Sequence, residues 1–205
     1  MDLNLSGKHI LITGGSKGIG LACAQAFLAE GARVSLVSRS EANLTRARES
    51  LSAFGTDRVQ THAADLTQAA SAQAALDAAI ATFGPVDVLV NSAGAAKRTP
   101  APELSPQAWH DAMQAKYFSY IHMIDPVIKQ MGQRGKGNIV NVVGNGGKVA
   151  SPIHLAGGAA NAALMLVTAG MAAAYGAQGI RVNAANPGLT LTDRLHEGFA
   201  AEARL

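Results

Sequence analysis

The chain has little of what marks a secreted, membrane-spanning or nucleic-acid-binding protein. A single cysteine, Cys23, among 205 residues leaves no internal disulfide framework and suits a reducing compartment. Its expected place is the buried face of a helix. Charged residues make up only 15% against 48% apolar, so a chain held open by its own charge is excluded. No run of about 18 uncharged apolar residues is read in the sequence, and the N-terminal stretch MDLNLSGKHILITGG lacks the basic-then-apolar pattern of an export signal. A cytoplasmic protein without a membrane partner is expected. Aromatic residues are scarce at 4% and basic residues are scattered, so the net charge of +3 predicts a mildly basic surface and no nucleic-acid partner. The histidines at 9, 62, 110, 122 and 196 fall at no metal-ligand spacing with one another or with Cys23, and no metal is expected.

What is present is a regular alternation. Short β-branched, apolar runs at 8–13, 33–38, 58–63, 86–91, 138–143 and 180–185 are separated by Ala-rich helical stretches near 18–30, 41–53, 67–83, 105–131 and 155–176. Each run is apolar throughout rather than at every second residue, the pattern of strands covered on both faces. Gly31, Gly84 and Gly179 follow helices, and Ser105 precedes Pro106 at a helix start. Strict alternation predicts right-handed crossovers and an α/β fold: one doubly wound parallel sheet of Rossmann type, helices on both faces, in a single domain over 1–205. Ligands in such sheets bind beyond the carboxyl ends of the strands.

After the first strand comes TGGSKGIG, residues 13–20. Gly14, Gly18 and Gly20 would let the chain turn sharply and bring the backbone of Ser16, Lys17 and Ile19 near a diphosphate at a helix N-terminus. The second strand ends in Ser38 and Arg39, where an acidic residue would hold a ribose 2′-hydroxyl. Arg39 with Lys17 and no carboxylate favours a 2′-phosphate, hence NADP(H) over NAD(H).

Four spaced motifs together make the resemblance specific: TGGSKGIG, the Asp65–Leu66 pair after the third strand, NSAG at 91–94, and NPGLTLT at 186–192. The chain resembles the short-chain dehydrogenase/reductase family along its whole length. The resemblance implies a Rossmann-type fold and hydride transfer between a nicotinamide dinucleotide and a small carbonyl, alcohol or activated double bond. It also implies that Asp65 and Leu66 touch the adenine, and that Asn91, Ala93 and Gly94 line the ribose side. Pro187, Gly188 and Thr192, with Thr190 between them, would approach the nicotinamide. Typical members continue for about one more helix and a seventh strand beyond EGFAAEARL, so the chain reads as cut before them.

The catalytic positions depart from the family. Aligning NAAL with the family's K-A-A-L places Asn161 at the lysine position that also holds the ribose, Gly157 at the tyrosine and Gly144 at the serine. Lys116 stands where an asparagine is usual. Three other groups could serve. His154, seven residues before Asn161, resembles in spacing the active tyrosine of the enoyl-reductase branch and reads either as a proton donor or as a capping histidine. Lys116 reads as an electrostatic donor or proton source, or as a helix-surface lysine. Asn145 in GNGG offers an amide beside the expected carbonyl; Tyr117 and Tyr120 read as packing groups.

Three classes follow from these residues: an oxidoreductase with a changed proton donor, a dinucleotide-binding sensor or partner subunit without turnover, and a non-redox enzyme such as a lyase. By the same resemblance, the small-residue helix at 155–176 and the stretch 105–131 would meet those of another copy in a homodimer or homotetramer, with a small molecule as the other partner.

Overall fold

The computed structural model describes residues 3–94, 96–192 and 199. Six strands, β1 (His9–Thr13), β2 (Arg33–Ser38), β3 (Val59–Ala63), β4 (Val88–Asn91), β5 (Gly137–Val142) and β6 (Ile180–Ala185), form one sheet in the order β3-β2-β1-β4-β5-β6. Every pairing is parallel, with Thr13 opposite both Val37 and Asn91. The order reverses between β1 and β4, and their carboxyl ends open the crevice where such sheets bind ligands.

Helices α1 (Gly18–Ala29) and α2 (Glu41–Ser50) cover one face, α3 (Ala69–Phe83), α5 (Ser119–Arg134) and α6 (Leu155–Tyr175) the other. The alternation of side chains along β1 explains the two cores. Ile10 and Ile12 point to a cluster with Leu28, Leu36 and Leu44, whereas Leu11 joins Leu76, Leu89, Met123, Ile128 and Leu164. Burying each such side chain contributes about 1.5–3 kcal/mol. All five residues of β1 and all four of β4 are buried, as central strands require, while Arg181 and Asn183 on the outer strand β6 are exposed.

The predicted caps are in place. Gly31, Gly84 and Gly179 take positive φ after helices, and Ser105 Oγ accepts from the Ala108 N–H at 3.2 Å at the start of α4 (Pro106–Ala112). Three expectations need correcting. The stretch 105–131 is not one α-helix: a π-helical segment, Met113–Phe118, joins α4 to α5. Cys23 is only half-buried on α1, where partial burial pushes its thiol up. Leu155–Gln178 is long and apolar enough to cross a membrane by length and composition; Gly, Asn and Thr break up the run in the sequence and hid it. In the fold one side of this helix packs on β6 and on the loop after β5, through Ala156, Ala160, Asn161, Leu164 and Thr168.

At the opposite end of the sheet His9 is fully buried. Its Nδ1 lies 2.7 Å from the Gly84 carbonyl and its Nε2 2.6 Å from Ser35 Oγ, which also accepts from Gln60 at 2.6 Å. A carbonyl can only accept, so Nδ1 carries the proton and Nε2 accepts from the serine, the neutral tautomer. Burial lowers the His9 pKa below its ordinary value, and His62 is lowered by burial as well. For a base depressed in the fold, the stabilisation is complete above the unfolded pKa, about 6.5, and falls away as pH drops below it because the unfolded chain takes up protons first. The urea midpoint is therefore expected to fall between pH 7.5 and 5.5, and His9→Gln to flatten that fall; equal slopes for both proteins would refute the assignment.

Candidate active site

The turn from β1 to α1 is drawn tight by its neighbours. Gly14 has φ +65 and donates its N–H to the Val37 carbonyl at 2.8 Å; a Cβ there would lie 2.8 Å from the backbone of Ala93. A Cβ on Gly20 would run into the Gly14 carbonyl, so helix and turn touch through backbone alone. Ser16 Oγ donates to Ser38 Oγ at 2.9 Å, tying the turn to the end of β2. Lys17 is the N-cap of α1 and no side chain caps that helix, whose first turn, Gly18, Ile19 and Gly20, carries no acid. An anion is what such a helix start accepts. Thr192 approaches from the loop after β6, its methyl 3.5 Å from the Cβ position of Gly18.

Thr13 holds the next loop against this turn. Its Oγ1 accepts from the N–H groups of Ser92 and Ala93, at 3.1 and 3.2 Å, and donates to Asn91 Oδ1 at 3.3 Å. The Asn91 amide donates to Asn141 at 3.0 Å, and the Asn141 amide to Thr168 at 2.9 Å. The side chain of Asn91, fully buried, is thus spent on joining strands; the Ala93 backbone packs against Gly14, and Gly94 lines the cavity described next. Leu66 is likewise a core residue at 5% exposure, which leaves the exposed Asp65 as the side chain a ligand would meet there. The N–H of Thr67, then its hydroxyl and the positive charge of Arg39, hold the Asp65 carboxyl below its usual range.

A cavity of about 60 Å³ adjoins the crevice, lined by Gly94, Ala96, Lys116, Val143, His154, Gly157 and Asn161. That is room for a few waters or one small polar group. Lys116 comes from the π-helical segment, a geometry often found at functional sites. It is 8% exposed, and its Nζ donates to Tyr120 Oη at 2.7 Å and to the Val142 carbonyl at 3.0 Å, while Tyr120 Oη donates to the same carbonyl at 2.6 Å. Tyr120 was readable only as packing, and Val142 acts through its backbone; the one sequence signal was the i, i+4 spacing of Lys116 and Tyr120.

His154 is the N-cap residue of α6 by its backbone, accepting from Gly158 N–H at 2.7 Å, but its ring makes no capping hydrogen bond. The ring lies instead against Gly157 and Gly146. A Cβ on Gly157 would sit inside the imidazole, and one on Gly146 would be 2.9 Å from its Cδ2. The imidazole therefore fills the space in which a side chain at 157, the family's tyrosine position, would begin. Asn161, 5% exposed, turns its amide toward Gly144 and Gly146. Asn145 departs from the expectation: its N–H is bound to the Pro187 carbonyl at 3.0 Å, its side chain is exposed, and it does not line the cavity. That bond holds the Pro187 end of the last loop beside the glycine loop. Beyond it a Cβ on Gly188 would meet nothing among the described residues, the Thr190 hydroxyl donates to the Gly188 carbonyl at 3.4 Å, and the Thr192 hydroxyl donates to the Thr190 carbonyl at 3.4 Å.

The family model of the short chain dehydrogenases matches residues 8–203. The chain belongs to that family. It is 38% identical over 200 residues to the D-threitol dehydrogenase of Mycolicibacterium smegmatis, covering 97% of this chain and 76% of the relative. Levodione reductase superposes with a TM-score of 0.93 at 28% identity, over 97% of this chain and 78% of that one. An NADPH-bound short chain oxidoreductase of Pseudomonas aeruginosa PAO1, described as containing an atypical catalytic center, superposes with a TM-score of 0.88 at 30% identity, over 95% of this chain and 76% of that one. The chain thus spans about three quarters of the length of these relatives, with a Rossmann-like sheet in common.

Proposed function

We propose that the protein is an NADP(H)-preferring oxidoreductase that moves a hydride to or from a small carbonyl, alcohol or activated double bond, with His154 in the role of the family's tyrosine. The observation that carries this reading is the imidazole standing in the space of a side chain at 157, on the wall of a cavity that opens beside the cofactor crevice. Imidazole exchanges protons near neutrality and can serve in either direction. Lys116 supplies positive charge at the same wall, where negative charge on a substrate oxygen develops. Asn161 offers an amide in place of the usual lysine, and the uncharged walls at Ala96 and Val143 limit water. The bound dinucleotide would supply or take the hydride; the glycine turn, Ser38, Arg39 and Asp65 would hold its adenosine half, and Pro187, Gly188, Thr190 and Thr192 would border its nicotinamide. The Pseudomonas protein supports an altered centre in this family that still takes NADPH.

Screening small carbonyl and enone substrates by NADPH absorbance tests the reading; failure of every substrate, with NADPH bound, would favour a nucleotide-binding subunit without turnover. The cofactor choice has its own test. NADPH is expected to bind at least about tenfold more tightly than NADH because Arg39 and Lys17 add charge-assisted bonds to a 2′-phosphate. Arg39→Asp should remove or reverse that ratio in calorimetry, and equal affinities in the unmodified protein would exclude the clamp.

Assembly follows from the surface of the same helices. Trp109, Phe118 and Leu166 are exposed at 40%, 39% and 76% on α4, the π-helical segment and α6. Exposed apolar groups beside a stripe of small residues favour close helix contact with a second copy. A dimer or tetramer is expected in light scattering at micromolar concentration, and a monodisperse monomer would exclude it.

A further inference from the structure

We infer that the substrate is an anion, a short hydroxy or oxo acid whose carboxylate is read by Lys116; this rests on the reading of the cavity as the substrate site. The argument is one of sign. Beside Gly157 and Asn161 of α6, the described lining residues come from three stretches, Gly94 with 96–100, 113–118 and 143–154. Together they carry Lys97, Arg98, Lys116 and Lys148 and no acidic residue, in a chain whose totals, 17 basic and 14 acidic, are nearly balanced. Lys97 and Arg98 follow Ala96, a lining residue, and their loop is tied to the other rim by the Thr99 N–H donating to the Ile153 carbonyl at 3.0 Å. Lys148 follows the glycine loop that packs on His154 and Asn161. The next acid along the first loop, Glu103, lies beyond Pro100 in a separate turn.

Lys116 brings its charge to the inner wall at 8% exposure. A carboxylate entering the cavity would meet there a donor with a fixed position, which a neutral polyol uses less well than an anion. Tyr120 and the Val142 carbonyl fix the Nζ position, so the charge is placed rather than swung in from solvent. The exposed Lys97 and Lys148 would act at longer range, steering an anion to the mouth. The volume of about 60 Å³ suits a carboxylate and the carbon beside it. For a 2-hydroxy acid the carbinol hydrogen would leave as hydride to the oxidised dinucleotide and the hydroxyl proton would pass to His154, giving the 2-oxo acid; reduction is the reverse.

Calorimetry on the NADP⁺-saturated protein compares glycolate, lactate and oxalate with their neutral amides, saturation keeping the acids off the dinucleotide phosphate site. At least one acid is expected to bind about tenfold or more tightly than its amide at low salt, to weaken as salt rises, and to lose that preference in Lys116→Met. Amides that bind as well as the acids, no binding by any acid, or a preference that survives Lys116→Met would overturn the inference. If that variant does not fold, the triple change Lys97→Gln, Arg98→Gln, Lys148→Gln on the rim decides: a slower association and a flatter salt dependence are expected, and unchanged values overturn it. Hydride transfer is assayed in parallel. Acid binding without NADPH turnover would reject the oxidoreductase reading and keep the anion site, whereas turnover of neutral ketones without acid binding would do the opposite.

Discussion

His154→Ala is expected to lower turnover roughly 10²–10⁴-fold, the range for removing a positioned general acid, while NADPH affinity stays unchanged. The separation of the two effects follows from the architecture. Dinucleotide phosphates would meet the turn at Gly14–Gly20, built on β1 and α1, whereas His154 begins α6 on the far side of the sheet's switch point. The loss should be in kcat and kcat/KM together, since an acid that acts only in the transition state contributes little to ground-state binding. The ring has no capping duty on α6 and its backbone contacts survive truncation, so stability should drop by no more than a side-chain cavity allows. A variant that keeps full turnover on an active substrate would pass the proton to Lys116 or a water. A variant that loses NADPH binding would show that the helix start, not the acid, had been damaged.

The sheet was legible because the central strands β1 and β4 are buried along their length and several helices are followed by glycines that take positive φ, whereas β3 and β6 carry polar residues, Gln60, Thr61, Arg181 and Asn183, that the reading of strands apolar throughout passed over. The glycine turn was legible from its spacing, and backbone approach is what demands it: Gly20 lies against the Gly14 carbonyl, and Gly14 against the backbone of Ala93. The residues whose surroundings were not legible are those whose contacts depend on distant partners. Nothing near Lys116 announces a π-helical segment, because what seats the side chain is a carbonyl on Val142, and a carbonyl has no sequence signature. Asn91 and Leu66 belong to motifs, but a motif does not say which way a side chain points, and here Thr13, Asn141 and the core claim them. Asn145 looked available as an amide beside the reacting carbon until Pro187, brought up by the loop after β6, took its N–H and turned its side chain to solvent.

The emptiness of α6 bears on one further result. Gly157→Ala is expected to cost nearly as much turnover as His154→Ala, again roughly 10²-fold or more, although it adds one methyl group outside any hydrogen bond. The new Cβ would occupy the imidazole's position; Gly146 closes the ring from the other side, with its Cβ position 2.9 Å from Cδ2, so the ring has to leave the cavity wall. The helix backbone itself gains from the change, though by at most the roughly 1 kcal/mol that separates glycine from alanine in a helix interior, since Gly157 stands in the first turn of α6. The two substitutions should therefore be strongly non-additive. In the His154→Ala background, where the space is vacant, Gly157→Ala should leave the residual rate unchanged and raise the melting temperature. In the unmodified background it should lower the rate by that same roughly 10²-fold or more, with little net change in stability. If the ring were only filler, Gly157→Ala would disturb packing in the presence of His154 but leave turnover intact, and a double-mutant cycle measuring both rate and melting temperature separates the two outcomes. The same cycle explains why restoring the family's residue is not expected to restore its chemistry: Gly157→Tyr puts a phenol where the imidazole now stands, without the lysine that Asn161 replaces, and should be as slow as Gly157→Ala.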